Sequence, residues 1–161
     1  VSNKTPSLYI VAGGSDLFHE AVRLEFIREV FEVMTIANWH QFEIGSKRIE
    51  RMAALSSRHL TWHDNMLAVV AVESAEYRWR IDELRKIEAR RMVSFCPMTA
   101  QIGEVNLQGI EVAGTAVEDY GPKPRPIKDE WIEELHNQII EQGVRLSTAR
   151  WQAKEIENAT A

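Results

Sequence analysis

A single cysteine, Cys96, occurs in 161 residues. One thiol excludes an intrachain disulfide, and within one chain it can build neither a multi-cysteine zinc site nor a cysteine-ligated iron–sulfur cluster. So little cysteine fits a reducing compartment, and a cytoplasmic protein is expected. No apolar run approaches the roughly 18 residues of a membrane span, and the N-terminal stretch lacks a basic-then-apolar export pattern. No membrane partner is therefore expected. Positive charge is in the minority, with 19 Lys and Arg against 24 Asp and Glu, a net charge of −5. That balance gives no general attraction to nucleic acid. The basic clusters Lys47-Arg48 with Arg51, and Arg85-Lys86 with Arg90-Arg91, have carboxylates among them and read as solvated helix faces. Nucleic acid is not an expected partner. The three-glycine dinucleotide fingerprint is absent, as is a phosphate loop ending in Gly-Lys-Ser/Thr. No internal repeat or low-complexity segment divides the chain.

What is present is alternation. Six short β-branched or aromatic runs, Leu8–Ala12, Gln41–Ile44, Leu67–Val72, Met92–Phe95, Ile110–Ala113 and Val144–Ser147, are each followed by an amphipathic stretch or a loop. Parallel strands need such crossovers, because a parallel neighbour cannot be reached by a tight turn. The expected fold is α/β, with about six mostly parallel strands alternating with helices as an incomplete (β/α) barrel or strongly curved sheet. With 45% hydrophobic residues, residues 1–161 suffice for one domain with a sizeable core. Residues 1–7 are polar and expected to fray, and 152–161 to form a tail or short helix.

Helical spacing of Phe18, Val22, Phe26, Val30 and Phe31 predicts a helix from about Asp16 to Met34. Ile49, Met52 and Leu55 predict a second over about Ser46–Leu55. Tyr77, Ile81, Leu84 and Ile87 predict a third over Ala75–Arg91. Leu67–Val72 is nearly all apolar, as in a central strand covered on both faces. Pro122, Pro124 and Pro126 stiffen an extended loop over Glu118–Pro126. A helix over Asp129–Gln142 ends at Gly143, a suitable C′ residue.

Folds of this class place their chemistry at the carboxyl ends of the strands. Gly13-Gly14-Ser15-Asp16 joins a strand to a helix start, where bare N–H groups can meet an anion; a tight turn capped by Asp16 is the plainer reading. Lys47 and Arg48 could hold a phosphate or carboxylate, or be a solvated pair. Glu73 ends the most buried strand, where a carboxylate titrates high or pairs with a cation such as Lys47. Cys96, before Pro97, is a nucleophile only if a base approaches it, and otherwise a small buried hydrophobe. Thr115 lies at the end of the fifth strand as a further ligand contact. The expected catalytic candidates are thus Glu73 and Cys96, and the ligand-binding ones Gly13, Gly14, Ser15, Asp16, Lys47, Arg48 and Thr115. His59 and His63 share a face only if Arg58–Asp64 is helical, and Thr61 and Asn65 favour a loop, so no metal site is expected. The five tryptophans are scattered and read as anchors, not a stacking platform.

Several blocks occur in a familiar order: Ser15-Asp16-Leu17-Phe18-His19-Glu20-Ala21-Val22, Lys47-Arg48 with Arg51-Met52, Val70-Ala71-Val72-Glu73-Ser74 with Arg80-Ile81, and Arg125-Pro126 with Trp131 before Gln142-Gly143-Val144. From about Leu8 to Trp151 the chain resembles a phage-associated family of radical-SAM-like proteins, similar in pattern to spore photoproduct lyase. The resemblance implies a partial (β/α) barrel holding an iron–sulfur cluster and S-adenosylmethionine at its open end. The family's cysteine loop lies in an N-terminal segment that this sequence does not include. Strand ends depart as well: Ala12-Gly13-Gly14 replaces Asn-Ser-Met, Gly45-Ser46 replaces Leu-Thr, and Cys96-Pro97-Met98-Thr99 replaces Glu-Pro-Leu-Leu. Ala113-Gly114-Thr115-Ala116-Val117 replaces Gly-Gly-Glu-Ser-Gly, and Ala149-Arg150-Trp151-Gln152 replaces Lys-Gln-Trp-Gly.

Kept helix faces with rewritten strand ends point to a retained scaffold without radical chemistry, expected to carry no cofactor and to bind a small anionic or nucleotide-like ligand. Two alternatives remain: a small transferase or hydrolase using Glu73 or Cys96 on nucleoside-like substrates, and a structural or interaction protein. If a first strand–helix unit is missing, a sheet edge lies open, and a homo-oligomer is expected to cover it.

Overall fold

Six parallel strands stand in one sheet in the order in which they occur along the chain: β1 (Leu8–Val11), β2 (Gln41–Ser46), β3 (Met66–Ala71), β4 (Arg90–Phe95), β5 (Val112–Thr115) and β6 (Arg145–Thr148). The computed structural model describes residues 2–115 and 126–148. Within them the sheet does not close into a barrel. Adding every strand on the same side by right-handed crossovers places all the connections on one face. The helices are α1 (Leu24–Ile36), α2 (Ile49–His59), α3 (Trp79–Arg85) and α4 (Asp129–Glu141).

Burial follows from that one-sidedness. Phe42, Ile44 and Ser46 of β2, Met66, Ala68 and Val70 of β3, and Val93 and Phe95 of β4 are buried under the helices. The alternate residues Glu43, Gly45, Leu67, Val69, Ala71, Met92 and Ser94 are only half-buried. The apolar run of β3 is thus fully covered on one face, not two, because an open sheet brings no opposite strands over the other.

Local chemistry shifts several boundaries. The helix expected from Asp16 starts only at Leu24. Asp16 spends its carboxylate on the Phe18 N–H at 2.8 Å, making an Asx-type turn, and His19 N–H and Val22 N–H bond back to the carbonyls of Asp16 and His19. The Arg51 guanidinium then holds the carbonyls of Phe18, His19 and Val22, so this stretch stays a clamped turn with Phe18 in the core. Helix α2 begins three residues later than expected because Ser46 still pairs with Val70, and it extends to His59. Ala75–Arg91 is not one helix: a 3₁₀ turn at Ala75–Tyr77 precedes α3, and Arg90 and Arg91 already pair with Leu67 and Ala68. Strands β5 and β6 run later than the apolar runs that announced them, whereas α4 starts as expected and Gly143 closes it at φ +69°.

Near the start of the described residues, Asn3 and Lys4 meet the turn before β2. The Asn3 carbonyl accepts from Trp39 Nε1 and His40 Nε2, both at 3.1 Å, and the Lys4 ammonium sits 3.9 Å over the Trp39 ring. No helix connects β4 to β5. An extended segment crosses instead, and Gln138 and Gln142, one turn apart on α4, bond it as a neighbouring strand would: Gln138 to Val105 N–H and the Gly103 carbonyl, Gln142 to Leu107 N–H and the Val105 carbonyl. Arg78 and Arg85 hold the carbonyls of Glu104, Asn106 and Gln108 from the other side. The expected loop over Glu118–Pro126, apart from Pro126, and the tail 152–161 lie outside the described residues.

Candidate functional site at the strand ends

The carboxyl ends of β1, β2 and β3 carry two polar clusters separated by the alternation of β2. Ser46 points to the helix side, and Lys47, the next residue, to the other face. In the first cluster the Ser46 hydroxyl lies 2.9 and 3.0 Å from the two Asp16 carboxylate oxygens and accepts the Arg48 N–H at 2.9 Å. Arg48 bonds Asp16 at 3.0 Å and Glu20 at 2.9 Å. The Gly13-Gly14-Ser15 turn is closed by Ser15 N–H on the Ala12 carbonyl at 2.8 Å. The left-handed residue of that turn is Ala12, at φ +56°, and a Cβ on Gly14 would meet nothing within 4 Å. Asp16 therefore serves the turn and Arg48, and the two glycines leave bare backbone at the rim.

The second cluster centres on Glu73, which is 7% exposed. One carboxylate oxygen takes the Lys47 ammonium and the other takes Arg80 Nη1 at 2.8 Å. The same Nη1 reaches the Ala71 carbonyl at 2.8 Å, and the guanidinium lies 4.1 Å over the Tyr77 ring. Arg80 Nε is buried with no hydrogen-bond partner among the described residues. Thr99 grips the Glu73 carbonyl with its N–H at 2.8 Å and its hydroxyl at 3.0 Å. Burial pushes the Glu73 carboxyl up, but the Lys47 hydrogen bond and charge, with the Arg80 charge, outweigh it and hold the group below the usual carboxylate range. It is an anion with two cations. Lys47 is the outer one, its side chain 59% exposed.

The remaining candidates are Cys96, Thr115 and the pair His59 and His63. Cys96 follows β4, half-buried, before a cis peptide bond to Pro97. The Thr115 hydroxyl turns to the helix side and meets His136 Nε2 of α4 at 2.6 Å, where burial lowers the His136 pKa. His59 ends α2 and His63 lies in the following loop; both line a cavity of about 290 Å³ beside Arg28, Glu32 and Thr35. No group of three or more metal-ligating side chains occurs among the described residues. Sequence reasoning did not place Ser46, Thr99 or His136 in a site. Arg80 stood in the familiar blocks, but its role as the inner partner of Glu73 depends on the 3₁₀ turn that brings it back over β3.

An iron–sulfur cluster, which the resemblance implies, takes three or four thiolates. One cysteine in these 161 residues does not fit it.

The fold and its rim define an open, one-sided parallel α/β sheet with a polar carboxyl edge. A family described as "Protein of unknown function (DUF5131)" matches residues 1–160, and the chain belongs to that family. No curated protein and no solved structure matches it. No helix among the described residues is long and apolar enough to cross a membrane.

Proposed function

We propose that this chain is a diverged radical-SAM-type scaffold that runs no radical chemistry by itself and binds a small anionic or nucleotide-like ligand at the carboxyl ends of its strands. The observation that carries this reading is the position of Lys47. Its ammonium rests on a carboxylate that the buried Arg80 also neutralises, so it is the rim cation least required by the fold. A cation on a half-exposed stem can turn to an incoming anion without leaving a buried charge unpaired. The bare Gly13-Gly14 backbone lies at the same rim. A hydrolase or transferase reading fits less well, because a carboxylate fixed between two cations is a weak general base.

The test is calorimetric titration with phosphate, nucleotides and S-adenosylmethionine. Binding to at least one is expected, weakened about tenfold by Lys47→Gln, the loss of one charge-assisted contact. Absence of heat with all three ligands at millimolar concentration overturns the reading.

The proposal includes a cytoplasmic setting, in keeping with the single thiol, and a homo-oligomer. The latter is supported by the unpaired edge of β1 among the described residues and by Phe26, Val33 and Ile36, each more than half exposed on neighbouring α1.

A further inference from the structure

Lys47 cannot turn to an anion without consequence for Glu73. One Glu73 oxygen is held from within by Arg80 Nη1, which is itself tied to the Ala71 carbonyl, and Thr99 fixes the residue's backbone. The carboxylate therefore cannot swing after Lys47. When the ammonium leaves, the outer oxygen loses its charged hydrogen-bond partner; with Lys47 seated on it the side chain is 9% exposed. An acceptor that exchanges a charged donor for water, or for nothing, is destabilised even while Arg80 keeps its charge paired. A ligand that offers nothing but an anion must bear that cost. A ligand that brings a hydrogen-bond donor beside its anion does not.

The donor needs no charge of its own. Glu73 keeps Arg80 as its counter-ion after Lys47 turns away, so a hydroxyl restores the missing hydrogen bond without adding a cation to a site that already balances. We propose that the ligand is a hydroxylated anion of the sugar-phosphate class, with its phosphate on Lys47 and a neighbouring hydroxyl on the outer oxygen of Glu73. Lys47 is the element that moves. Arg80 and Thr99 are positioning residues, because they act on the ligand only by holding Glu73 in place.

This inference rests on the anion-binding reading above and adds the requirement for a donor. Its consequence is a ranking. Ribose 5-phosphate should bind the full chain at least about tenfold tighter than inorganic phosphate, the ratio set by one restored charge-assisted hydrogen bond, and ribose alone should not bind. In Glu73→Gln, which removes the charge that detains Lys47, inorganic phosphate should bind more tightly than to the unaltered chain and the preference for the sugar phosphate should shrink. Titration calorimetry reads both, with circular dichroism confirming that the variant is folded. Equal affinity of the unaltered chain for phosphate and ribose 5-phosphate overturns the donor requirement while leaving the anion site standing. If neither ligand binds, anion binding itself falls. The unaltered-chain comparison decides the matter even if Glu73→Gln fails to fold.

Discussion

Glu43, within β2, and Glu73, just past the neighbouring β3, show how one residue type acquires opposite behaviour. Burial raises the Glu43 carboxyl, and the Arg145 charge only partly opposes it. At Glu73 the two cations overcome burial. A raised folded-state pKa means that the unfolded chain ionises first, so Glu43 subtracts stability at neutral pH, and the deficit fades as pH falls to the ordinary glutamate value of about 4.3. A depressed one has the reverse sign: the contribution of Glu73 is present above that value and is lost as pH falls through its lower folded-state pKa. Urea unfolding should accordingly find Glu43→Gln more stable than the unaltered chain at pH 7, with the gain gone near about pH 4. A Glu43→Gln chain less stable at pH 7 would contradict the assignment. His136 of α4, whose pKa burial lowers, adds a loss of stability on acidification below its ordinary value of about 6.5.

At the scale of elements, the join between β5 and β6 depends on Gly114. A Cβ there would lie 2.7 Å from the Ser147 carbonyl oxygen and 3.1 Å from its Cβ, and backbone cannot retreat as a flexible side chain can. Overpacking of this kind costs typically about 1–3 kcal/mol. Gly114→Ala should therefore lower the thermal midpoint by several degrees, while Gly14→Ala, with open space around it, should not. Equal midpoints would show that β6 can move aside. The helix-free β4–β5 crossover obeys related physics. Several of its peptide groups are satisfied by glutamine amides and arginines at two helices, beside a few local bonds such as Ile110 N–H to the Leu107 carbonyl.

For the whole molecule, one side of the sheet is left unfinished. Arg28, Glu32 and Thr35 turn one flank of α1 toward the end of α2, so Phe26, Val30 and Val33, on the opposite flank, face the edge of β1 that pairs with no strand among the described residues. An open strand beside an apolar helix flank is a surface that proteins normally cover. Sedimentation velocity should give a mass above that of one chain, and Val33→Glu should reduce it to the monomer. A monomer at every concentration, or an oligomer indifferent to Val33→Glu, would remove the proposed self-association.

Much of this was legible in the residues themselves. The six runs, their alternation with helical spacing and Gly143 after the last helix follow from local rules, because side-chain period and turn chemistry act over a few positions. So did the pairing of Glu73 with a cation such as Lys47. What tertiary structure alone decided is where polar side chains finish. Asp16, expected to cap a tight turn at the start of a helix, is instead the hub of a turn that runs on to Val22, because Ser46 and Arg48 arrive from the next strand. Thr115 was placed at the rim and faces a helix, since one position along a strand reverses a side chain. Arg80 reaches Glu73 only through the 3₁₀ turn that lies between them. The contacts of Asp16 and Thr115 join residues far apart in sequence, and their geometry exists only once the strands have taken their register.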